Sequence, residues 1–313
     1  MNEIQKQIAH LQQGNIKSLA RCISIVENEL DGYEEILFSI YIRNTPIIGI
    51  TGPPGSGKST LINSILKKLV DNKKRIGVIA IDPTSPFNYG SFLGDRIRMT
   101  EHFNNENIFI RSLATRGSLG GLSAKTIEVA DVMKAFGFDY IFIETVGVGQ
   151  SEVEIAGIAD TTILVLAPGF GDEIQTIKSG IMEIGDIFVI NKSDQPNADV
   201  FAKNISQLIE RRKYFATNTF HLSDKEKNHH WKPPIVKTVA TQNEGIEEII
   251  CKIEEHSQFA ENIKKIFILT EKAYRLIQQQ RMKNVDKKKL QSKIEKEMKK
   301  KDFNLYGFVK TFS

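Results

Sequence analysis

Residues 52–59 read GPPGSGKS and follow the apolar run IIGI at residues 47–50. The segment matches the pattern GxxxxGK[ST] in full, and it lies between a predicted strand and a predicted helix, where this pattern binds phosphate. Its glycines let backbone N–H groups close around phosphate oxygens, and the helix that follows adds the positive end of its dipole. We therefore predict that phosphate is bound by Gly52, Pro53, Pro54, Gly55, Ser56, Gly57, Lys58, Ser59 and Thr60.

Two side chains of this loop predict a triphosphate with a metal ion. Lys58 should reach the β and γ phosphates, and the Ser59 hydroxyl should bind Mg²⁺. Three carboxylates follow at strand ends or in adjoining loops, namely Asp82, Asp95 and Glu144. Each one alone fits a capping or exposed acid, but three in order after a phosphate loop favour metal binding, direct or through water. We predict Ser59 and the three acids as the metal site, and Lys58, Asp95 and Glu144 as catalytic.

The segment FVINKSD, at residues 188–194, predicts a guanine site. It places Asn191, Lys192 and Asp194 directly after a predicted strand, in the NKxD pattern. The Asp194 carboxylate can accept two hydrogen bonds from the guanine amine and ring N–H, whereas adenine offers no such donor pair. Hydrogen bonds to charged groups contribute about 1.5–3 kcal/mol each, which is enough to select the base. The segment that should back the guanine is Val239, Ala240 and Thr241, with a valine in the place of the usual serine.

Composition places limits on the class of protein. The 313 residues are 41% hydrophobic and 26% charged, with a formal charge of +4, which is typical of a globular chain. The late lysine-rich stretches favour a solvated helix face over a site for an acidic partner. We expect neither nucleic acid nor a membrane as a partner. Cys22 and Cys251 have no metal or disulfide spacing, and no signal peptide, transit peptide or membrane-length apolar run is recognised, so we expect a cytoplasmic protein.

The periodicity of apolar residues predicts the architecture. Six short apolar runs, separated by helical stretches, indicate an α/β fold with a mostly parallel sheet covered by helices on both faces. Ligands bind such sheets at the carboxyl ends of the strands. We predict a helical N-terminal extension over residues 1–43, broken near Gly14, a nucleotide-binding domain over 44–256, and a helical arm over 257–313. The stretch from Ser223 to Pro234, with His229 and His230, favours a polar surface loop over a metal site.

Several motifs together resemble the MeaB/ArgK type of GTPase, the group that includes the methylmalonyl-CoA mutase chaperones. They are GPPGSGKST, DPTSPFNYGSFLGDRIRM, TRGSLGGLS, ETVGVGQSE, GDEIQTIKSGIMEIGD and NKSD, and the similarity runs from about Leu11 to Gly245. The resemblance implies a P-loop G domain of the signal-recognition-particle/MinD-like (SIMIBI) class, with N- and C-terminal helical extensions. It also implies GTP and GDP as ligands with Mg²⁺, and a homodimer formed by the C-terminal arm.

The same resemblance implies a biological role. It is GTP-gated loading and protection of adenosylcobalamin on a cobalamin-dependent acyl-CoA mutase of the methylmalonyl-CoA mutase type, with an adenosyltransferase as a further candidate partner. Within residues 171–183, Asp172, Gln175 and Lys178 correspond to a switch that responds to the mutase. Gly147 lies where the backbone faces the γ-phosphate.

Gln150 raises a question about catalysis. It lies three residues after Gly147, whereas the water-orienting glutamine of Ras-like GTPases follows that glycine directly, where Val148 stands here. Our hypothesis is that the isolated protein hydrolyses GTP slowly and that a partner completes the site.

Three other functions are compatible with parts of the sequence. A kinase, the label that ArgK-type proteins have carried, is disfavoured as an ATP enzyme by NKSD. A hydrogenase or urease type of metallochaperone needs Cys/His delivery motifs that are not recognised here. A scaffold that binds GTP without meaningful turnover stays open.

Overall fold

The computed structural model describes residues 2–82, 102, 105–114, 124–145, 154–169, 181–219, 231–260, 263–282, 285–299 and 303–310. The chain forms two compact units, residues 1–270 and 271–313. No helix within the described ranges is long and apolar enough to cross a membrane. The described helices and strands are α1 (Glu3–Gln12), α2 (Ile16–Glu27), α3 (Tyr33–Ser39), β1 (Ile47–Thr51), α4 (Lys58–Asp71), β2 (Ile76–Asp82), β3 (Ile108–Ala114), α5 (Ala124–Phe136), β4 (Tyr140–Glu144), β5 (Thr161–Leu166), β6 (Ile187–Asn191), α6 (Ala198–Thr219), β7 (Ile235–Thr238), α7 (Ile246–Ala260), α8 (Ile263–Met282), α9 (Lys287–Glu297) and α10 (Leu305–Lys310).

A parallel sheet lies at the centre of the first unit. Its seven described strands have the order β3-β2-β4-β1-β5-β6-β7, and each pair of neighbours is parallel. Every residue of β1, β5 and β6 is buried, which explains why these strands are continuous apolar runs. Since all the strands run in one direction, their carboxyl ends share one edge of the sheet. The predicted α/β fold is confirmed.

Helices cover both faces of this sheet. Side chains alternate between the faces along each strand. On one face Ile48 and Ile50 join a hydrophobic core with α4 and α7. On the other, Ile141 and Ile143 pack with α1, α2, α3 and α5, and Leu164 packs with α6 further along the same face.

The N-terminal helices belong to the core of the first unit. The predicted break near Gly14 is confirmed: α1 ends at Gln12, and Gly14 has a φ of +88°. Asn15 then caps α2 by accepting a hydrogen bond from the Ser18 backbone at 3.0 Å. A second break, which the sequence did not predict, precedes α3 at Gly32, where φ is +89°. The extension is therefore three helices, packed against α5.

Strand β3 is the element that the apolar pattern does not predict. Its sequence, IFIRSLA, carries Arg111 and Ser112 where a continuous run would be apolar. Arg111 is half-buried, and its Nε donates to Glu27 Oε2 on α2 at 3.1 Å. A distant carboxylate thus accommodates a charge that local sequence cannot explain.

The predicted polar loop before β7 is described only from Trp231 onwards; His229 and His230 lie outside the described residues. The Trp231 indole N–H donates to the Asp186 carbonyl at 2.7 Å. Its ring centroid lies 4.8 Å from that of His256 and 5.6 Å from that of Phe259. The end of the loop is therefore anchored by packing on α7.

Helix α7 continues across residue 256, where the predicted C-terminal arm begins. His256 is buried, and its Nδ1 lies 2.8 Å from Thr161 Oγ1 on β5. The division at residues 43 and 256 remains a prediction, while the structure itself divides at residue 270.

The second unit contains the end of α8 together with α9 and α10. Asp286 caps α9 by accepting a hydrogen bond from the Lys289 backbone at 3.0 Å. Large apolar side chains are exposed along these helices: Tyr274, Ile277, Met282, Met298, Leu305, Tyr306 and Val309. The predicted helical character of this segment is confirmed.

Candidate nucleotide site

The phosphate loop follows β1, the central strand of the sheet. Its first residue, Gly52, has a φ of +143°, and a Cβ there would lie 2.1 Å from the Val165 carbonyl oxygen on β5. Gly57 has a φ of +90° and immediately precedes α4. Only glycine adopts both conformations readily, so the pattern of glycines shapes a loop that ends at a helix N-terminus.

Lys58 is folded back across this loop. Its Nζ donates to the carbonyl oxygens of Gly52, at 2.8 Å, and Pro53, at 3.0 Å. The side chain is buried, so its charge lies within the loop rather than in solvent. This is the position from which an ammonium group can interact with bound phosphate.

Ser59 and Glu144 are brought together by the register of the sheet. Glu144 ends β4 and is paired in register with Ile50 on β1 and Ala80 on β2. The Ser59 hydroxyl donates to Glu144 Oε1 at 2.7 Å, although the residues are 85 positions apart. The structure thus places two of the predicted metal-binding side chains in contact.

The other predicted metal residues are only partly described. Asp82 ends β2, at the same edge of the sheet as Glu144, and its side chain lies outside the described set. Asp95 also lies outside the described residues. Within the described ranges, no group of three His, Cys, Asp or Glu side chains could hold a metal ion. A complete metal site is therefore not assembled from the described residues alone.

Asn191 connects the phosphate loop to the predicted base site. Its Nδ2 donates to the Ser56 carbonyl in the loop at 2.9 Å. Its Oδ1 accepts from Thr238 Oγ1 at 3.1 Å and from the Ala240 backbone at 3.2 Å. A Cβ on Gly57 would lie 2.2 Å from Asn191 Nδ2. One buried side chain therefore holds together three segments that are distant in sequence.

The rest of the predicted guanine segment lies beside Asn191. Lys192 has a φ of +58°, and Asp194, three residues after the end of β6, is exposed. The Ser193 backbone donates to the Thr238 carbonyl at 3.0 Å, which joins this segment to the end of β7. Val239 and Ala240 are buried, and Thr241 is exposed. The carboxylate and the backing segment thus follow adjacent strands at the same edge.

Sequence reasoning missed several residues that shape the site. Thr145 follows Glu144, and its Oγ1 donates to Thr51 Oγ1 at the end of β1 at 3.0 Å. Ser64 on α4 donates to the Ala240 carbonyl at 2.7 Å. No local pattern marks these contacts, because each partner is far away in sequence. Gly147, Gln150, Asp172, Gln175 and Lys178 lie outside the described residues, so their roles remain predictions.

At the carboxyl edge of the sheet, a phosphate loop follows the central strand, and an NKxD segment follows a strand two positions away. The buried side chain of Asn191 in this segment forms a hydrogen bond with the loop. This architecture defines the class of P-loop GTPases.

The chain belongs to the MeaB family: residues 19–299 match the family model described as methylmalonyl Co-A mutase-associated GTPase MeaB. A protein of Pyrococcus abyssi named as a GTPase is 45% identical over 304 residues, covering 96% of this chain and 89% of that protein. GTPase ArgK of Escherichia coli is 36% identical over 252 residues, covering 79% of this chain and 73% of that protein. The chain is therefore a GTPase, and its ligands are GTP and GDP.

Two further comparisons concern a mouse relative and a solved structure. The mouse mitochondrial protein named methylmalonic aciduria type A homolog is 39% identical over 208 residues, which covers 64% of this chain and 46% of that protein. The crystal structure of an LAO/AO transport system kinase is similar over 100% of this chain and 97% of its own, with a TM-score of 0.65 and 25% identity. The similarity in fold thus extends over the whole chain.

Proposed function

We propose that GTP lies along the carboxyl edge of the sheet, with its phosphates in the loop at residues 52–60 and its base at Asn191, Lys192, Asp194 and the segment 239–241. The observation that carries this assignment is the position of Asn191, which bonds both Ser56 and Ala240. Asn191 sets the spacing of the two ends, and Asp194 supplies the carboxylate that guanine requires.

We propose Mg²⁺ at Ser59 and Glu144, with Asp82 and Asp95 contributing directly or through water. The support is chemical, since a hydroxyl and a carboxylate in contact at a phosphate loop are the hard oxygen ligands that Mg²⁺ prefers. When bound, the ion would neutralise charge on the β and γ phosphate oxygens. The Ser59 to Glu144 hydrogen bond then marks a preformed position for these ligands.

We assign the chemistry of the γ-phosphate to Lys58, Asp95 and Glu144. The Lys58 ammonium stabilises negative charge that develops during hydrolysis, and we propose that the Gly147 backbone contributes to binding the γ-phosphate. We propose slow turnover by the isolated protein and acceleration by a partner that acts through Asp172, Gln175 and Lys178. Gln150 is the residue to test for a part in orienting water.

Lys58→Ala tests this assignment. We expect GTP hydrolysis to fall at least about a hundredfold, because loss of one preorganised donor to transition-state charge costs roughly that much. Lys67→Ala, an exposed position on the same helix, is the matched control. Normal turnover by Lys58→Ala would remove the phosphate-loop assignment, and turnover of ATP in preference to GTP by the unaltered protein would favour a kinase.

We propose that the protein serves a cobalamin-dependent acyl-CoA mutase of the methylmalonyl-CoA mutase type, by gating the loading and protection of adenosylcobalamin. The family description and the name of the mouse relative support this role. We further propose a homodimer formed through residues 257–313, with exposed apolar side chains such as Ile277 and Tyr306 in the interface. An adenosyltransferase is a candidate third component of this complex.

We also propose a cytoplasmic location, with which the free thiols of Cys22 and Cys251 agree.

Complex formation tests the partner directly. Purified protein and purified methylmalonyl-CoA mutase from the same source are mixed with GDP or with a non-hydrolysable GTP analogue, and the complex is measured by size-exclusion chromatography with light scattering. We expect a complex whose affinity depends on the nucleotide. No complex with either nucleotide would contradict the mutase assignment and leave the GTPase assignment intact.

A further inference from the structure

The peptide group of Ala240 is held from both sides by buried side chains. Its N–H donates to Asn191 Oδ1 at 3.2 Å, and its carbonyl oxygen accepts from Ser64 Oγ at 2.7 Å. Asn191 belongs to the NKxD segment, whereas Ser64 belongs to α4. Helix α4 begins at Lys58, so the residue that holds Ala240 and the residues proposed to contact phosphate and Mg²⁺ lie on one rigid element.

Loss of the Ser64 hydroxyl would leave a buried carbonyl without this donor. The Asn243 backbone N–H still donates to this carbonyl at 3.3 Å, but that bond lies within the turn that follows β7 and does not connect Ala240 to α4, so loss of the shorter bond lets Ala240 shift relative to the helix. Movement of Ala240 would displace the segment 239–241, which we place against the guanine. The hydrogen bond to Ser64 therefore fixes the base segment relative to the phosphate helix.

We infer that Ser64 is a positioning residue for guanine recognition, and that it acts on the base through Ala240. This inference rests on the proposed guanine site. Ser64 raises the affinity for the guanine part of the nucleotide without changing the affinity for the phosphates.

The matched control is a substitution at Lys68, which lines a surface groove of about 300 Å³ together with Ser64. Lys67 and Gly245 also line this groove, among others. Lys68 pairs with Glu247 there and connects α4 to α7, but the two side chains are 40% and 77% exposed, so solvent screening leaves this ion pair little strength. Lys68→Ala therefore removes another contact made by α4 without touching Ala240.

The experiment measures the dissociation constants of GDP and ADP by displacement of a fluorescent GDP analogue from the full-length protein. In Ser64→Ala we expect the constant for GDP to rise about tenfold, with the constant for ADP unchanged within about twofold. Lys68→Ala should keep the ratio of the unaltered protein, and Ser64→Thr, which keeps the hydroxyl, should restore most of it.

An unchanged ratio of the two constants in Ser64→Ala would overturn the inference, as would an equal loss of affinity for GDP and ADP, which indicates a general structural defect. If Ser64→Ala does not fold, Ser64→Cys keeps the volume with a much weaker donor and gives the same comparison. If the unaltered protein itself does not prefer GDP to ADP, the proposed guanine site is wrong. A preference that survives in Ser64→Ala refutes only the role of Ser64.

Discussion

At the scale of single residues, the site depends on side chains that hold backbone segments together. Asn191 bonds the phosphate loop, β7 and the segment that follows β7. Glu144 holds Ser59, and Thr145 holds Thr51. These contacts preorganise the site, so substitutions here should affect nucleotide binding more than their size suggests.

Asp194→Asn tests the selection of the base. We expect affinity for GTP to fall at least tenfold, since a charged hydrogen bond contributes about 1.5–3 kcal/mol, and affinity for XTP to rise because the new amide donates to the xanthine carbonyl. The ratio of XTP to GTP turnover measures this change, with Glu210→Gln on α6 as the control. Unchanged selectivity would contradict the assignment of Asp194.

Gly57→Ala tests the contact between the phosphate loop and Asn191. Alanine in a left-handed conformation costs roughly 1–2 kcal/mol, and here its Cβ would also displace the Asn191 amide. We expect a lower Tm and a loss of nucleotide binding. Gly169→Ala is the control, because Gly169 has a φ of +82° and no described atom within 4 Å of the built Cβ. Equal nucleotide affinity in the two variants would show that the collision with Asn191 does not matter.

At the scale of elements, the sequence predicts what depends on local pattern. Six strands, the helix after the phosphate loop and the NKxD segment follow from apolar runs and fixed spacing. Strand β3 does not, because Arg111 becomes compatible with an edge strand through Glu27 and Ser24 on α2, which are distant in sequence. The contact from Ser64 to Ala240 is hidden for the same reason, since it joins residues 176 positions apart.

Glu27→Gln tests how the N-terminal helices are attached to the sheet. Loss of the charge should weaken the bond to Arg111 and lower the free energy of unfolding by about 1–2 kcal/mol. Cys22 on α2 provides a second readout, because burial raises the pKa of its thiol to about 11 and keeps it unreactive while α2 is packed. In a Cys251→Ser background, alkylation of Cys22 should be faster with Glu27→Gln. The exposed Glu106→Gln is the control, and equal alkylation rates would refute the attachment.

At the scale of the whole molecule, the first unit holds the residues that we propose for the nucleotide site, and the second exposes large apolar side chains. Tyr274, Ile277 and Tyr306 are among seven large apolar side chains that are exposed in the described part of the second unit, and exposed apolar surface supports the proposed role of this unit in association. The two units therefore suggest separate tasks, hydrolysis in one and association in the other.

A variant that ends at residue 270 tests this division. A cut at residue 256 would end the chain inside α7, directly after the buried His256. A cut at residue 270 instead follows the boundary between the units. We expect a monomer by light scattering. Basal GTP turnover should stay within about threefold of that of the full chain, a difference of about 0.6 kcal/mol in the barrier, because the residues proposed for the nucleotide site lie in residues 1–270. A dimer that survives the cut would move the interface into residues 1–270.

The most direct test of the account is GTP turnover by the purified protein, alone and with the methylmalonyl-CoA mutase from the same source, with ATP as the control substrate. We predict slow hydrolysis of GTP alone, at least about tenfold stimulation by the mutase, as expected when a partner completes a catalytic site, and no comparable effect with ATP. Turnover of GTP that the mutase leaves unchanged would contradict the account of an incomplete site that this partner completes.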